Sequence, residues 1–285
     1  MAVKNFIPEI WSSRLLKHLD MNLVFKSLVN TDYEGEIKNY GDTVRVNQIG
    51  NIKVENWAKT HNVVPQDLDS TQAILTIDQA RYYAFQVYDA DAAQANLNLM
   101  DAAMERAAFS LAKDIDTYIA QKYIDAGIEM GDYEVKAVSG TSSGTSTTIT
   151  AYDLITEVAA KLDEHNVPDA GRWLVVPPWF HAMLLRSIEY KLAVEDYKTS
   201  GVIPQVAGLK ILKSNNIQTT RTGENMYYYL MGGTNMAISF AMQVQTTEAI
   251  RSSTNFADVV RGLVLYGAKV FYPESLVSVR VKKGE

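Results

Sequence analysis

Two extended segments with alternating apolar and polar residues open the first third of the chain. The alternation runs from about 41 to 54 and again from about 73 to 88, as expected for half-buried strands. The polar stretch 55–71 between them carries three large apolar residues, Trp57, Val63 and Val64. The pattern predicts a long β-hairpin with a broad tip, too extended to fold back on its own core.

The strongest helical pattern covers residues 92–125, which contain neither glycine nor proline. One apolar stripe runs along the whole segment at helical spacing: Leu97, Met100, Met104, Ala108, Leu111, Ile115 and Ile119. A helix of this length would extend about 50 Å. A long helix packed on a sheet explains the stripe as well as a coiled coil does.

The second half of the chain has an α/β rhythm. Residues 127–150 break the helical pattern, and their Ser/Thr/Gly-rich part at 139–148 predicts a surface loop. Downstream, the pattern predicts helices at 152–166 and 179–194, strands at 172–176 and 209–213, and a strand pair formed by 226–231 and 236–240. The tail at 262–281 is predicted to return as strands beside the long helix.

The N-terminal region is predicted to be a short arm followed by one or two amphipathic helices within residues 8–29. Phe6 and Ile7 of the arm have no local core to enter, and Trp11 begins the apolar face of the first helix. Because free chain ends usually fray, we expect this arm to become ordered only in an assembly.

Composition narrows the classes of function. The chain has 285 residues, of which 47% are hydrophobic and 21% charged, so one large domain or two connected ones can bury a core. The absence of cysteine excludes disulfides, thiolate catalysis and cysteine-ligated zinc. With 33 acidic and 27 basic residues, a dedicated nucleic-acid binder is disfavoured. No apolar run is long enough for a membrane span, and the first residues lack a secretion signal, so synthesis in the cytoplasm is expected.

No catalytic, metal or cofactor constellation is recognisable. The four histidines are isolated from one another in the sequence: His18, His61, His165 and His181. The Gly-rich stretch 140–145 lacks the lysine of a phosphate loop. Asp114 and Asp116 could suggest a carboxylate pair, but their position flanking the helical stripe favours a solvated face. Catalytic, metal and cofactor sites are therefore all predicted to be absent.

Several stretches together resemble the major capsid protein family of tailed bacteriophages, which has the HK97 fold. The similar stretches follow the same order over nearly the whole chain: IWSSRLL at 10–16, NTDYEGEI at 30–37, GDTVRV at 41–46, RWLVVP at 172–177, GVIPQVAG at 201–208, KILKSNN at 210–216, VRG at 260–262, YGAKV at 266–270 and PE at 273–274. No single stretch is diagnostic, but their order makes the resemblance specific.

The resemblance implies an α+β fold divided into four parts. Residues 1–40 would form the N-terminal arm and its helices, and 41–90 an extended hairpin loop lying over a neighbouring subunit. Residues 91–126 and 261–285 would form a peripheral domain with a long spine helix and C-terminal strands. Residues 127–260 would form an α/β axial domain.

The resemblance also implies a function and a set of partners. The protein would assemble with itself into hexamers and pentamers of an icosahedral head shell that encloses double-stranded DNA in the virion, after assembly in the host cytoplasm. Because the similarity begins within about ten residues of the start, a separate scaffolding protein is expected. A portal protein and a possible decoration protein are further expected partners, with only weak, non-specific DNA contact and no membrane. The expected contact residues between subunits are Phe6, Ile7, Trp11, Trp57, Val63 and Val64.

Two alternatives remain open at this point. An encapsulin-like nanocompartment shell would use the same fold with a different cargo. A soluble hydrolase with a carboxylate pair would instead bury its apolar surfaces within a monomer, so size-exclusion chromatography would separate it from either shell.

Overall fold

Three sheets and three α-helices, together with the helical residues Leu15 and Leu19, form the part of the chain that the computed structural model describes. The described residues are 15, 19, 23–33, 40–49, 70–88, 98–136, 147–187, 205–252 and 254–284. The strands are β1 (Thr43–Ile49), β2 (Ser70–Thr76), β3 (Gln79–Tyr88), β4 (Ile128–Lys136), β5 (Thr147–Thr150), β6 (Trp173–Val176), β7 (Lys210–Lys213), β8 (Thr219–Thr222), β9 (Asn225–Gly233), β10 (Ile238–Arg251), β11 (Ala257–Val270) and β12 (Leu276–Lys283). The α-helices are α1 (Asn98–Ala120), α2 (Ala151–Glu164) and α3 (Pro178–Arg186), and the 3-10 helices span Phe25–Leu28, Gln121–Asp125 and Pro273–Ser275.

The long helix α1 packs on a three-stranded antiparallel sheet with the strand order β10-β11-β3. The predicted stripe is buried there: Met104, Ala108, Leu111, Ile115 and Ile119 are at most 5% exposed. The prediction of a long helix is thus confirmed over Asn98–Ala120, whereas Gln121–Asp125 form a 3-10 turn and residues 92–97 lie outside the described residues.

The largest sheet of the described residues is a seven-stranded mixed sheet. Its order is β5-β4-β12-β9-β6-β7, with β8 paired to β9. One face packs against α2 and α3, while part of the other face joins the core under α1. The strand β6 (WLVV) is buried on both sides, because Leu174 and Val176 face the helices and Trp173 and Val175 face the other core.

The caps of α2 and α3 follow from their local sequences. The Thr150 hydroxyl accepts a hydrogen bond from the Asp153 backbone N–H at 3.1 Å, which caps the N-terminus of α2. Pro178 occupies the first turn of α3, where its missing N–H has no cost. The helix predicted at 152–166 is confirmed, but the one predicted at 179–194 ends at Arg186, where Ser187 turns to an extended conformation.

The predicted hairpin exists, but its second extended run is two strands. β1 and β2 pair antiparallel from Thr43↔Thr76 to Ile49↔Ser70, whereas β3 pairs with β11 in the three-stranded sheet. At the base of the hairpin, Val44, Leu75 and Ile77 are buried against Ala241, Leu265 and Phe271. The prediction that the hairpin does not contact its own core is therefore wrong for this base.

The predicted break of the helical pattern after residue 127 is confirmed, and residues 128–136 and 147–150 form the strands β4 and β5 there. Two predictions of strand partners are wrong, because the true partners are distant in sequence. The strands at 226–231 and 236–240 exist, but β9 and β10 belong to different sheets. The tail, predicted as strands beside the long helix, splits: β11 lies on α1 as predicted, but β12 pairs with β4 and β9 in the seven-stranded sheet. The domain boundaries stay predictions.

Candidate assembly surface

The six residues predicted to make contacts between subunits lie outside the described residues: Phe6, Ile7, Trp11, Trp57, Val63 and Val64. Their roles stay predictions. The described residues nevertheless present a surface of the kind that such contacts require, on the three-stranded sheet.

The outer face of the three-stranded sheet, which we define as the face opposite α1, carries exposed apolar side chains. Tyr83 points toward α1 and pairs with the Thr247 hydroxyl at 3.1 Å, so its neighbour Tyr82 points outward and is 80% exposed. Tyr88, six residues further along β3, shares this outward direction and is 43% exposed. Large exposed apolar side chains that share one face of a sheet make this face a candidate interaction site.

An irregularity in β10 extends the same face. The register between β10 and β11 shifts between Val244 and Thr246, which reverses the alternation of β10 side chains. Glu248 and Ile250 consequently face outward with their partners Arg261 and Val259 on β11. Arg261 and Glu248 form an exposed ion pair at 2.8 Å, and Ile250 is 41% exposed.

The two edges of this sheet differ. The outer edge of β10 is partly covered, because the Asn30 N–H donates to the Ile238 carbonyl at 2.9 Å and the Phe240 N–H donates to the Asn30 carbonyl at 2.8 Å. The other edge is β3, whose outer side pairs with no strand among the described residues. Unpaired edges of this length favour pairing with another chain.

Charged groups fasten β3 to α1 beside this edge. Asp114 accepts hydrogen bonds from the Arg81 guanidinium and from the Tyr266 hydroxyl, both at 2.7 Å. Burial, followed by the interaction with Asp114, raises the pKa of Tyr266 above its ordinary value, so this phenol is protonated at physiological pH. Asp114 therefore acts as a structural link between three elements.

The prediction that Asp114 and Asp116 lie on a solvated face of the helix is wrong for Asp116. Its side chain is fully buried, and it accepts hydrogen bonds from the backbone N–H groups of Val24 and Phe25, both at 3.1 Å. The Asn216 amide approaches the same carboxylate at 3.4 Å. Because the N-terminal segment and the loop before β8 cover this side of α1, the two carboxylates serve different contacts and do not form a catalytic pair.

No other chemistry emerges from the described residues. They contain no group of three or more side chains that could hold a metal ion. None of the described helices is long and apolar enough to cross a bilayer. His181 is buried in α3, and burial lowers the pKa of its imidazole, as expected for a neutral core histidine.

Known proteins similar to this chain are phage capsid proteins and related shells. A family model described as phage capsid protein matches residues 71–279. The structure from Mycobacterium phage Che8 is 28% identical with a TM-score of 0.68, and the match covers 98% of both chains. The capsid of cyanophage P-SCSP1u is 15% identical, with a TM-score of 0.65 over 92% of this chain and 89% of that one.

A virus-like particle from Pyrococcus furiosus shares the fold at 14% identity and a TM-score of 0.57, over 95% of this chain and 98% of that one. No curated protein matches the sequence. The family model covers most of the chain, and the Che8 relative spans nearly all of it. The protein therefore belongs to the phage capsid protein family and is a structural subunit of a virion shell, not an enzyme.

Proposed function

We propose that the protein builds its shell from hexamers and pentamers in which the β1–β2 hairpin of each subunit lies on the outer face of a neighbour. The main observation in support is that β1 and β2 pair only with each other among the described strands. The outer face of the three-stranded sheet meanwhile exposes Tyr82, Tyr88 and Ile250. An isolated two-stranded hairpin is marginally stable in water, so covering by a second copy stabilises it.

The base of the hairpin supports this arrangement. Val44, Leu75 and Ile77 hold the first residues of the hairpin against the subunit's own sheet. The Gly41 N–H donates to the Ile77 carbonyl, and the Ile77 N–H donates to the Asp42 carbonyl, both at 3.1 Å. A fixed base gives the strands a defined direction, which a contact repeated at every position of a shell requires.

The chemistry of the two surfaces is complementary. The segment between β1 and β2 carries Trp57, Val63 and Val64, and the outer face exposes Tyr82, Tyr88 and Ile250 beside the Arg261–Glu248 ion pair. Because Arg261 and Glu248 already pair with each other, an apolar tip that covers them separates neither charge from its partner. Large aromatic residues in desolvated contacts contribute disproportionately to association.

Replacing Trp57 by alanine is expected to leave a folded, soluble subunit that forms few particles. Truncation of an aromatic anchor typically costs about 2 kcal/mol or more per contact, and the loss recurs at every copy. Electron microscopy of particles and a melting curve of the unassembled subunit measure the two effects separately. A much lower melting temperature of the unassembled subunit would mean that Trp57 belongs to the subunit's own core.

Replacing Tyr82 by alanine tests the receiving surface. We expect the same assembly defect without loss of subunit stability, because Tyr82 is 80% exposed in the subunit. Phe109→Ala is the matched control, since Phe109 is 58% exposed on α1, away from the outer face. If Tyr82 and Trp57 meet across the contact, the double variant should be hardly worse than either single one. Additive losses would contradict a direct contact.

We further propose that assembly uses a separate scaffolding protein, that a portal protein occupies one position of the shell, and that a decoration protein can bind outside it. The family resemblance supports these partners. The net charge of −6 supports weak, non-specific contact with packaged DNA. Co-expression with and without the scaffolding protein tests the first of these: closed particles of normal size in its absence would exclude it.

A further inference from the structure

The segment Val24–Phe25, helix α1 and the loop between β7 and β8 meet at one buried carboxylate, Asp116. Each element contributes polar contacts. Asp116 accepts from the Val24 and Phe25 N–H groups at 3.1 Å, and from the Asn216 side chain at 3.4 Å. One residue further along α1, the Thr117 carbonyl accepts from the Gln218 amide at 3.2 Å. The junction therefore joins the N-terminal segment, the three-stranded layer and the seven-stranded sheet.

The rest of the junction is apolar. Phe25 and Leu28 are buried in the core with Ile115 and Ile217, and Leu15 and Leu19 enter the same cluster. The charged residues nearest to the junction in the sequence of these elements are Lys26 beside Phe25, Lys113 and Asp114 on α1, and Lys213 before the loop. Asp114 is engaged with Arg81 and Tyr266, and no described residue forms an ion pair with Asp116.

We infer that Asp116 is the positioning residue of the N-terminal segment and makes its junction with α1 a pH-dependent joint, tighter when the carboxyl is protonated. The inference does not depend on the hairpin contact proposed above. It concerns how firmly the segment that follows the predicted N-terminal arm is held on α1.

The physical basis is the cost of burying a charge. The backbone and Asn216 hydrogen bonds favour the carboxylate, but burial outweighs them and raises the pKa of Asp116 from 3.8 to about 6. Opening the junction hydrates the carboxyl and restores its ordinary pKa. The closed state therefore binds a proton more readily than the open one, so acid favours closing and neutral pH favours opening.

Hydrogen exchange of the full-length chain measures this joint directly, because the Val24 and Phe25 amides exchange only when their bonds to Asp116 break. After correction for the intrinsic pH dependence of exchange, protection of these amides should fall roughly tenfold to a hundredfold between pH 4.5 and 7.5. Peptides from β12 serve as an internal reference for global unfolding.

Two variants separate the joint from a general effect of acid. Asp116→Asn should remove the pH dependence of the Val24 and Phe25 amides, whereas Asp114→Asn, on the same helix, should retain it. Flat wild-type protection over this range would overturn the inference, as would an unchanged slope in Asp116→Asn. If Asp116→Asn does not fold, the wild-type profile compared with its β12 reference and with Asp114→Asn decides the question.

Discussion

Replacing Gly267 by alanine should destabilise the subunit by about 2–3 kcal/mol and prevent normal particles from forming. A Cβ atom at this position of β11 would lie 2.3 Å from the Thr76 carbonyl oxygen and 3.1 Å from the Ile77 Cα. Both are backbone atoms, so no side-chain rotation relieves the clash. The base of the hairpin must move away from the sheet, and the hairpin then leaves the subunit in a different direction.

Gly131→Ala provides the matched control, because Gly131 lies within β4 and a Cβ there meets nothing within 4 Å. We expect this variant to be neutral or to gain up to about 1 kcal/mol through loss of conformational entropy in the unfolded chain. Chemical denaturation of unassembled subunits and electron microscopy of particles are the measurements. Equal stability of the two variants would mean that the hairpin base is not held as closely as the structure indicates.

The features predictable from sequence are those that depend on local periodicity. The stripe from Met104 to Ile119 specifies a helix and its buried face, whichever sheet it meets. The alternation around Val44 and Leu75 likewise specifies two strands of one hairpin. Because these patterns lie within one element, no knowledge of distant partners was needed.

The choice between sheets could not be predicted in the same way. Val277, Val279 and Val281 alternate as they would in either sheet, and only the pairing of β12 with β4 and β9 decides between them. The predicted pairing of 226–231 with 236–240 would place Gly232 and Gly233 in the turn between the two strands. In the structure, Gly233 lies within β9, and a Cβ atom there would lie only 2.3 Å from the Ser275 carbonyl oxygen. The absence of a side chain therefore allows β9 to pack closely against the residues that precede β12.

In the candidate site, too, features that depend on local alternation could be predicted, and features that depend on distant residues could not. The outward direction of Tyr82 could have been inferred from Tyr83, since adjacent residues of a strand face opposite sides. The burial of Asp116 could not, because it results from Val24, Phe25 and Asn216, which lie about a hundred residues away in either direction: the separations are 92, 91 and 100. A flanking acidic residue on a helix is identical in sequence whether water or another segment covers it.

Replacing Arg172 by methionine should destabilise the subunit by about 3 kcal/mol, although both of its carboxylate partners are exposed. Arg172 is 5% exposed and lies immediately before β6. Its guanidinium donates to the Pro168 carbonyl at 3.0 Å and to the Val167 carbonyl, which fastens the turn after α2 to the sheet. Methionine fills the same space but leaves these carbonyls without their donor.

Variants of the carboxylate partners separate the contribution of the ion pairs from that of the hydrogen bonds to the buried carbonyls. Asp169 pairs with Arg172 at 2.9 Å but is 91% exposed, so Asp169→Ala should change stability by no more than about 0.5 kcal/mol. The loss of stability in Arg172→Lys should lie between those of Asp169→Ala and Arg172→Met. An ammonium group retains the charge but cannot reproduce the planar guanidinium that reaches both carbonyls. Chemical denaturation of the unassembled subunits orders the variants. If Asp169→Ala were as damaging as Arg172→Met, the ion pair and not the buried carbonyl contacts would hold this turn.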